Sequence, residues 1–379
     1  MKKFCAKVHL WLSIPFGIII AIVCLTGAIL VFETEIKELC QPSFYFVKEI
    51  KGEPLPPAAL IRSARGQLPD SIKINGIRIP SDPKRTYQLV LPGKGAAVFI
   101  NPYTAEITGI SDGKGFFMQV MRLHRWLLDS YKRDGSFSLG KNVVGYATLA
   151  LAFILISGLV IWYPRNRKVL KNRLKINTKF GWRRFFYDLH VSGGFYAMLL
   201  LLVMALTGLT WSFGWYRNAF YTVFGVETAQ MQGHAPAATT KPVAKGEASH
   251  REGNREGNKK RTDYRQWAQV LSTLQSQYPA YNSITIQDGS ATVSTANYGN
   301  TRGSDRYTFD PSTGEITEAQ LYKDLPKSGK IRGWIYSVHA GTWGGMTTKI
   351  LSCLACLLGT VFVITGYYFW LRKKLHRKK

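Results

Sequence analysis

Four stretches of the chain are apolar without interruption, and the segments between them are polar. Leu10 to Phe32, Val143 to Tyr163, Val191 to Phe213 and Ile350 to Leu371 contain no charged residue. A helix of about 20 such residues crosses a hydrocarbon layer ~30 Å thick, so the pattern predicts four membrane spans. The segments 33–142 and 214–349 are large enough to fold, whereas 164–189 is only a connection. Spacing of apolar positions predicts helices over Pro57 to Leu68 and Tyr264 to Tyr278, and alternation predicts strands at Ser71 to Ile79 and Ser283 to Gln287.

The pattern occurs twice. His9 is followed by Leu25-Thr26-Gly27 at the same interval at which His190 is followed by Leu206-Thr207-Gly208. The second and fourth spans share another ending, Ile156-Ser157-Gly158 before Trp162 and Ile364-Thr365-Gly366 before Trp370, with His124 and His339 upstream. Val98-Phe99-Ile100-Asn101-Pro102-Tyr103-Thr104-Ala105-Glu106-Ile107-Thr108 answers to Tyr307-Thr308-Phe309-Asp310-Pro311-Ser312-Thr313-Gly314-Glu315-Ile316-Thr317. In each, an alternating run meets an Asn/Asp-Pro turn starter, which predicts a hairpin. The expected fold is therefore an α-helical membrane protein of four transmembrane helices. It is a duplicated helix–domain–helix unit with two small extracytoplasmic α+β domains, each one helix on a small antiparallel sheet.

The divisions follow: 1–32 amino terminus and first span, 33–142 first outer domain, 143–163 second span, 164–189 basic loop. Then come 190–213 third span, 214–349 second outer domain with a flexible linker at 235–261, 350–371 fourth span and 372–379 basic tail. A mean hydropathy of −0.06 averages these unlike blocks. The first apolar stretch exceeds the ~7–15 residues of a signal-peptide core, so an uncleaved span is expected.

A net charge of +27 suggests nucleic acid until the charges are placed. Arg165, Arg167, Lys168, Lys171, Arg173, Lys175, Lys179, Arg183 and Arg184 fill the short loop with no acid among them, and Arg372, Lys373, Lys374, Arg377, Lys378 and Lys379 fill the tail. Positive residues flanking spans stay in the cytoplasm, so both termini are expected there, in a cytoplasmic membrane, with lipid and not nucleic acid as the partner. Trp162, Tyr163, Trp182 and Trp370 are expected at the inner interface, and Trp211, Trp215, Trp334 and Trp343 at the outer. Of five cysteines only Cys40 falls in an outer segment, so no disulfide framework is expected there. Cys353-x-x-Cys356 lies inside an apolar span and reads as packing rather than as a redox motif.

Topology then places His9 and His190 near the inner face, and His124 and His339 near the outer. A histidine at an interface is often no more than a polar residue at headgroup depth. Four at matched places in a repeated unit point to ligation, since two imidazoles from different helices can clamp one porphyrin iron. Gly17, Gly27, Gly193, Gly194 and Gly208 are expected to let a flat macrocycle approach, and Asp188 to orient the His190 ring. Arg122, Arg125, Arg183, Arg184 and Arg332 are candidates for carboxylate groups of such a macrocycle. His234 and His250, in or beside the linker, and His376 in the tail read as solvated. No c-type haem, zinc-hydrolase or P-loop motif occurs. The spans lack the interruptions and buried charges of a permease site.

The stretch Leu123-His124-Arg125-Trp126-Leu127-Leu128, the His-to-Leu-Thr-Gly spans and the paired hairpins resemble the PepSY-associated transmembrane proteins, over all of the chain except the linker. That family includes inner-membrane ferric-siderophore reductases carrying haem b. The resemblance implies haem ligation by His9 and His190 inside and by His124 and His339 outside, and reduction of siderophore-bound ferric iron at the outer surface with electrons from a quinol or a separate donor. Two haems b are expected. The interval from His124 to its Gly-x-x-x-Trp ending exceeds that from His339, which sets the equivalence of the two outer ligands in question. The other reading is a non-enzymatic membrane protein whose PepSY-like domains bind a peptide, protein or ligand.

Overall fold

The computed structural model describes residues 1–130, 137–164, 166–226, 264–295 and 299–376. The expected linker, His234, His250, Arg165 and residues 377–379 lie outside them. In chain order the elements are α1 (Lys2–Val31), α2 (Glu33–Cys40), α3 (Pro42–Tyr45), α4 (Pro57–Gln67), β1 (Gly76–Pro80), β2 (Tyr87–Val90), β3 (Ala96–Ile100), β4 (Ile107–Asp112), α5 (Phe116–Trp126), α6 (Leu139–Trp162), α7 (Arg167–Arg173) and α8 (Gly181–Asp188). A π-helical turn (Leu189–Gly193) leads into α9 (Gly194–Ser212) and α10 (Gly214–Val223). The rest are α11 (Gln266–Gln277), β5 (Ser283–Gln287), β6 (Ser290–Ser294), β7 (Ser304–Phe309), β8 (Ile316–Gln320), α12 (Lys327–His339) and α13 (Gly345–His376).

Among the described residues four helices are long and apolar enough to cross a membrane: α1, α6, Gly181–Ser212 (α8 through α9) and α13. They outrun the apolar blocks because the polar flanks contain no helix breaker; Lys2 to His9 simply extends α1. α1 packs on α6 and α13, and α9 closes the bundle against the same two helices. The buried positions are small: Gly17, Cys24, Thr26, Gly27 and Ala28 on α1, Gly145, Ala147, Ala150 and Ser157 on α6, and Ser352, Ala355, Cys356 and Gly359 on α13. Ile18, Phe153, Leu199 and Leu354 point outward. In lipid the tails are as apolar as leucine, so helices associate by close backbone approach at small residues. At one such contact Gly17 leaves room for Tyr367, whose hydroxyl donates to the Ile14 carbonyl at 2.5 Å, just before Pro15. All five cysteines are free, and Cys356 is packed within the bundle against Gly27. Trp162, the last residue of α6, is buried and stacked on Phe195 at 3.9 Å. Trp182 and Trp215 are exposed.

The strands form one antiparallel sheet in the order β4-β3-β2-β1-β5-β6-β7-β8. Two separate small sheets were the expectation. Instead β1 pairs with β5, setting Ile77 opposite Ile286 and Ile79 opposite Ile284. Unpaired, each strand would present an open edge, and the pairing removes both. α4 and α11 cover one face, where Leu60, Ile61, Ala64, Trp267, Val270 and Leu274 meet the inward residues of the strands in a common core. β1 begins at Gly76 rather than Ser71, because Pro69 starts a turn that Ile72 N closes at 3.0 Å. The two Asn/Asp-Pro hairpins fold alike. Asn101 Oδ1 accepts from Tyr103 N at 2.9 Å, and Asp310 Oδ1 from Ser312 N at 2.7 Å. The Ser312 hydroxyl and the Ser312 N–H, both donating to Asp310, hold its carboxyl below the usual aspartate range, with the hydroxyl the larger contributor.

Ile77 and Ile286 are fully buried at the seam. Ile77→Ala is expected to cost about 2–5 kcal/mol. Hydrogen exchange should then rise in both the β2–β3 and β6–β7 hairpins. Loss of protection on one side alone would mean that the seam does not couple the two halves.

Candidate functional site

Each of the four matched histidines meets a helix other than its own, and does so in one way. His124, on α5, directs Nδ1 at the Val23 carbonyl and at Thr26 Oγ1 of α1, both at 3.0 Å. His339, on α12, directs Nδ1 at the Met204 carbonyl at 2.9 Å and at Thr207 Oγ1 of α9 at 3.2 Å. His9 meets the Ile154 carbonyl at 3.0 Å and Ser157 Oγ of α6 at 3.4 Å. His190 meets Thr365 Oγ1 of α13 at 2.9 Å, with the Phe362 carbonyl beside it. The clasp is reciprocal: α1 sends His9 to α6 and receives His124 from the helix that precedes α6, and α9 with α13 repeats this.

The hydrogen-bond chemistry assigns the tautomer. A carbonyl only accepts, so each Nδ1 facing one carries the proton. The hydroxyls are themselves donors to their own helices, Thr26 to the Ile22 carbonyl at 2.6 Å and Thr207 to the Val203 carbonyl at 2.7 Å. Their lone pairs remain for the imidazole N–H. A neutral ring protonated at Nδ1 presents Nε2 as a bare lone pair, oriented and made more basic by the bond behind it.

Glycine makes the approach possible. A Cβ on Gly208 would lie 3.0 Å from His339 Cε1, on Gly27 3.3 Å from His124 Cε1, on Gly158 3.3 Å from His9 Cε1, and on Gly366 3.6 Å from His190 Cε1. Gly27 and Gly208 therefore admit imidazoles, not the face of a macrocycle as expected, while Gly193 faces Leu189 and Phe362. The Ser/Thr-Gly pairs were visible as a repeat, but their use as docking sites required the neighbouring helix. A π-helical turn at Leu189–Gly193 carries His190; such turns re-aim a side chain within a continuous helix. α1 carries His9 with no such turn. The unequal histidine intervals do not make the outer docking unequal, since the extra length falls between α5 and α6. Leu127 and Leu128 there adopt left-handed φ of 50° and 67°, ending α5 sharply below His124.

The rings of His124 and His339 have centroids 6.2 Å apart, with planes at 61°. Two imidazoles bound in line through one metal, each nitrogen about 2 Å from it, put their centroids ~6.4 Å apart. The separation of the outer rings is close to that figure. His9 and His190 lie near enough to feel each other's charge. Trp211 packs edge-on to His339 at 5.1 Å and Phe362 to His190 at 5.7 Å. Among the described residues no group of three or more His, Cys, Asp or Glu converges on a bare metal ion.

The other candidates are placed differently from expectation. Asp188 does not orient His190; it accepts from Asn177 N and Nδ2, both at 3.2 Å, and from Arg184 Nε at 2.9 Å. Arg184 is thereby occupied. Arg122 donates to the Leu128 carbonyl at 3.0 Å, closing the end of α5. Arg332 lies by Tyr221, two turns along α12 from His339, and Arg183 is exposed on α8. Arg125 lies within electrostatic reach of both His124 and His339.

The PepSY-associated TM region profile matches residues 6–373, nearly the whole chain. The chain belongs to the PepSY-associated TM region family. Comparison with curated proteins gives no match. Membership agrees with four membrane-crossing helices and an attached antiparallel sheet, and in this member the histidine clasps tie the two together.

Alanine at the four glycines should rank by clearance. Gly208→Ala is expected to destabilise by about 1–3 kcal/mol through overpacking. Gly366→Ala, at ordinary contact distance, is expected to be neutral or slightly stabilising through helix propensity. Thermal unfolding in detergent checks the order, and a reversed order would remove the docking role of Gly208.

Proposed function

We propose that this protein is a duplicated helix–domain–helix unit that carries electrons through two haems b across a bacterial cytoplasmic membrane, to ferric iron held by a siderophore-type chelate. The observation that carries the reading is the set of four Nδ1-anchored imidazoles, arranged as one pair toward each end of the bundle. The outer spacing fits a group ligated on both faces. Lys2, Lys3, Lys7, Lys171, Arg173, Lys373 and Lys374 belong to the ends of the chain and the short loop, remote from the sheet in sequence. By the positive-inside rule those ends are cytoplasmic and the sheet is periplasmic.

A bound haem supplies a one-electron iron couple whose potential is set by its axial ligands and surroundings. In the proposed arrangement His9 and His190 would hold one iron and His124 and His339 the other. Thr26, Ser157, Thr207 and Thr365 fix ring orientation, and Trp211 and Phe362 pack the imidazoles. Arg125 is the best placed of the arginines for an outer propionate, and Arg183 remains a candidate on the inner side. Arg184 and Arg332 are drawn to Asp188 and toward Tyr221. At the sheet end one electron converts Fe(III) to Fe(II), which hard oxygen donors hold far less tightly, so the iron is released. At the cytoplasmic end a hydroquinone, oxidised to quinone with release of two protons, supplies the electrons for two such reductions, or a separate one-electron carrier supplies one.

The test is an absorption spectrum of the detergent-purified protein with haem quantified per chain. Two haems are expected, falling to about one in His339→Ala and in His9→Ala, each with loss of reduction of a ferric chelate. A colourless protein, or unchanged spectra in both variants, would overturn the reading.

A further inference from the structure

α10 (Gly214–Val223) follows α9 after a single extended residue, Phe213, with φ −122° and ψ 127°. The break interrupts the helix, yet aromatic contacts tie the start of α10 to the membrane-facing surface of the bundle. Phe213 fills the notch at Gly145, where a Cβ would lie 2.8 Å from its ring, and packs on Tyr146 at 5.2 Å; both residues belong to the first two turns of α6. Trp215 then stacks on Phe213 at 5.8 Å with planes 25° apart. Tyr146 is 56% exposed on a membrane-crossing helix, so the row Tyr146, Phe213, Trp215 runs from its lipid face onto α10. Tryptophan and tyrosine collect at the depth where acyl chains meet headgroups.

Residues four apart lie on one face of a helix. On α10 Trp215, Ala219 and Val223 form such a stripe and all are exposed, Trp215 by 62% and Val223 by 83%. The opposite face carries Tyr221, which is buried, and Arg217, which is exposed. Tyr221 and Val226 form a small core with Ile335 of α12, and Phe220 and Ile331 pack beside it. α10 is thus held to the helix of His339 by one side and leaves its apolar stripe bare on the other. Residues 227–263, which follow, offer only Met231 and Val243 as large apolar side chains, too few to cover it. The corresponding helix of the first half, α2, is fixed differently: Glu35 pairs with Lys349 at 2.6 Å and Glu38 with Arg85 at 2.8 Å. α10 contains no acid with which to make such pairs.

We propose that α10 lies on the membrane surface at the sheet end of the bundle, with Trp215, Ala219 and Val223 seated at the acyl boundary and Arg217 turned to water. An amphipathic helix of this kind enters the headgroup boundary by ~5–10 Å. Its partner is the lipid surface itself. Through Tyr221 and Ile335, one turn before His339, the leaflet supports the helix that presents this imidazole. The proposal stands whether or not haem is bound.

Val223→Cys and Arg217→Cys are each made in a protein carrying Cys5→Ser, Cys40→Ser and Cys353→Ser, which retains the buried Cys24 and Cys356. The full-length variants are labelled with bimane in phosphatidylcholine nanodiscs, and quenching is measured with brominated acyl chains and with aqueous iodide. At position 223 bromine near the headgroup is expected to quench most, deeper bromine less and iodide least; at position 217 iodide is expected to quench most. With all five cysteines in place, Trp215→Phe is expected to remove part of the tryptophan fluorescence that shallow bromine quenches. The proposal is overturned if iodide quenches position 223 as strongly as 217, which would put the stripe in water. Protection of 223 from both quenchers also overturns it, since another protein surface, such as a second copy of this chain, would then cover the stripe. A Trp215→Phe protein whose quenchable fluorescence matches that of wild type overturns it independently of the labels.

Discussion

A buried imidazole N–H in an apolar bundle has no water to bond, and everything at the candidate site follows from where it finds an acceptor. In an α-helix each carbonyl is already engaged by the N–H four residues on, yet it retains a second lone pair. Access to that lone pair is ordinarily blocked by side chains. Gly27, Gly158, Gly208 and Gly366 clear the way, and the neighbouring Thr or Ser adds an oxygen whose own proton is turned back into its helix. The imidazole is thereby fixed in position, orientation and tautomer by a rigid backbone rather than by another flexible side chain.

The same bond explains how the spans and the sheet act as one body. α5 and α12 are short helices at the sheet end, and each inserts a histidine into a membrane helix. The continuous eight-stranded sheet links the chain segments leading to both. Because β1 and β5 share one ladder and one core with α4 and α11, α5 and α12 are referred to a common frame. A spacing of 6.2 Å between rings from distant parts of the chain calls for a frame of that kind. Interiors packed at small residues deform little, so the bundle holds its side of the geometry as well.

Much of the architecture was legible in the chain. The four spans were readable because a run of apolar residues is a local property that directly determines solvent preference. The Asn101 and Asp310 turns were readable because an Asx side chain bonds its own backbone two residues on. The helix preceding the sheet in each half was placed to within a few residues at its ends. The strand predicted from Ser71 began late, because Pro69 makes a turn that alternation alone does not reveal. Asp188 showed the limit of the local view: its bonds to Arg184 and Asn177 take it away from the His190 ring.

By itself the sequence determined that the chain enters a membrane, that His9 and His190 recur at one interval from a Thr-Gly pair, and that its polar segments contain helices and hairpins. These depend on composition and short-range spacing. Only the tertiary structure decided that the two sets of strands form one sheet, that each histidine docks on another helix's glycine, and that a π-helical turn aims His190. Those outcomes depend on contacts between residues far apart in the chain. Edge pairing, glycine clearance and a shared carbonyl lone pair exist only after the helices have packed.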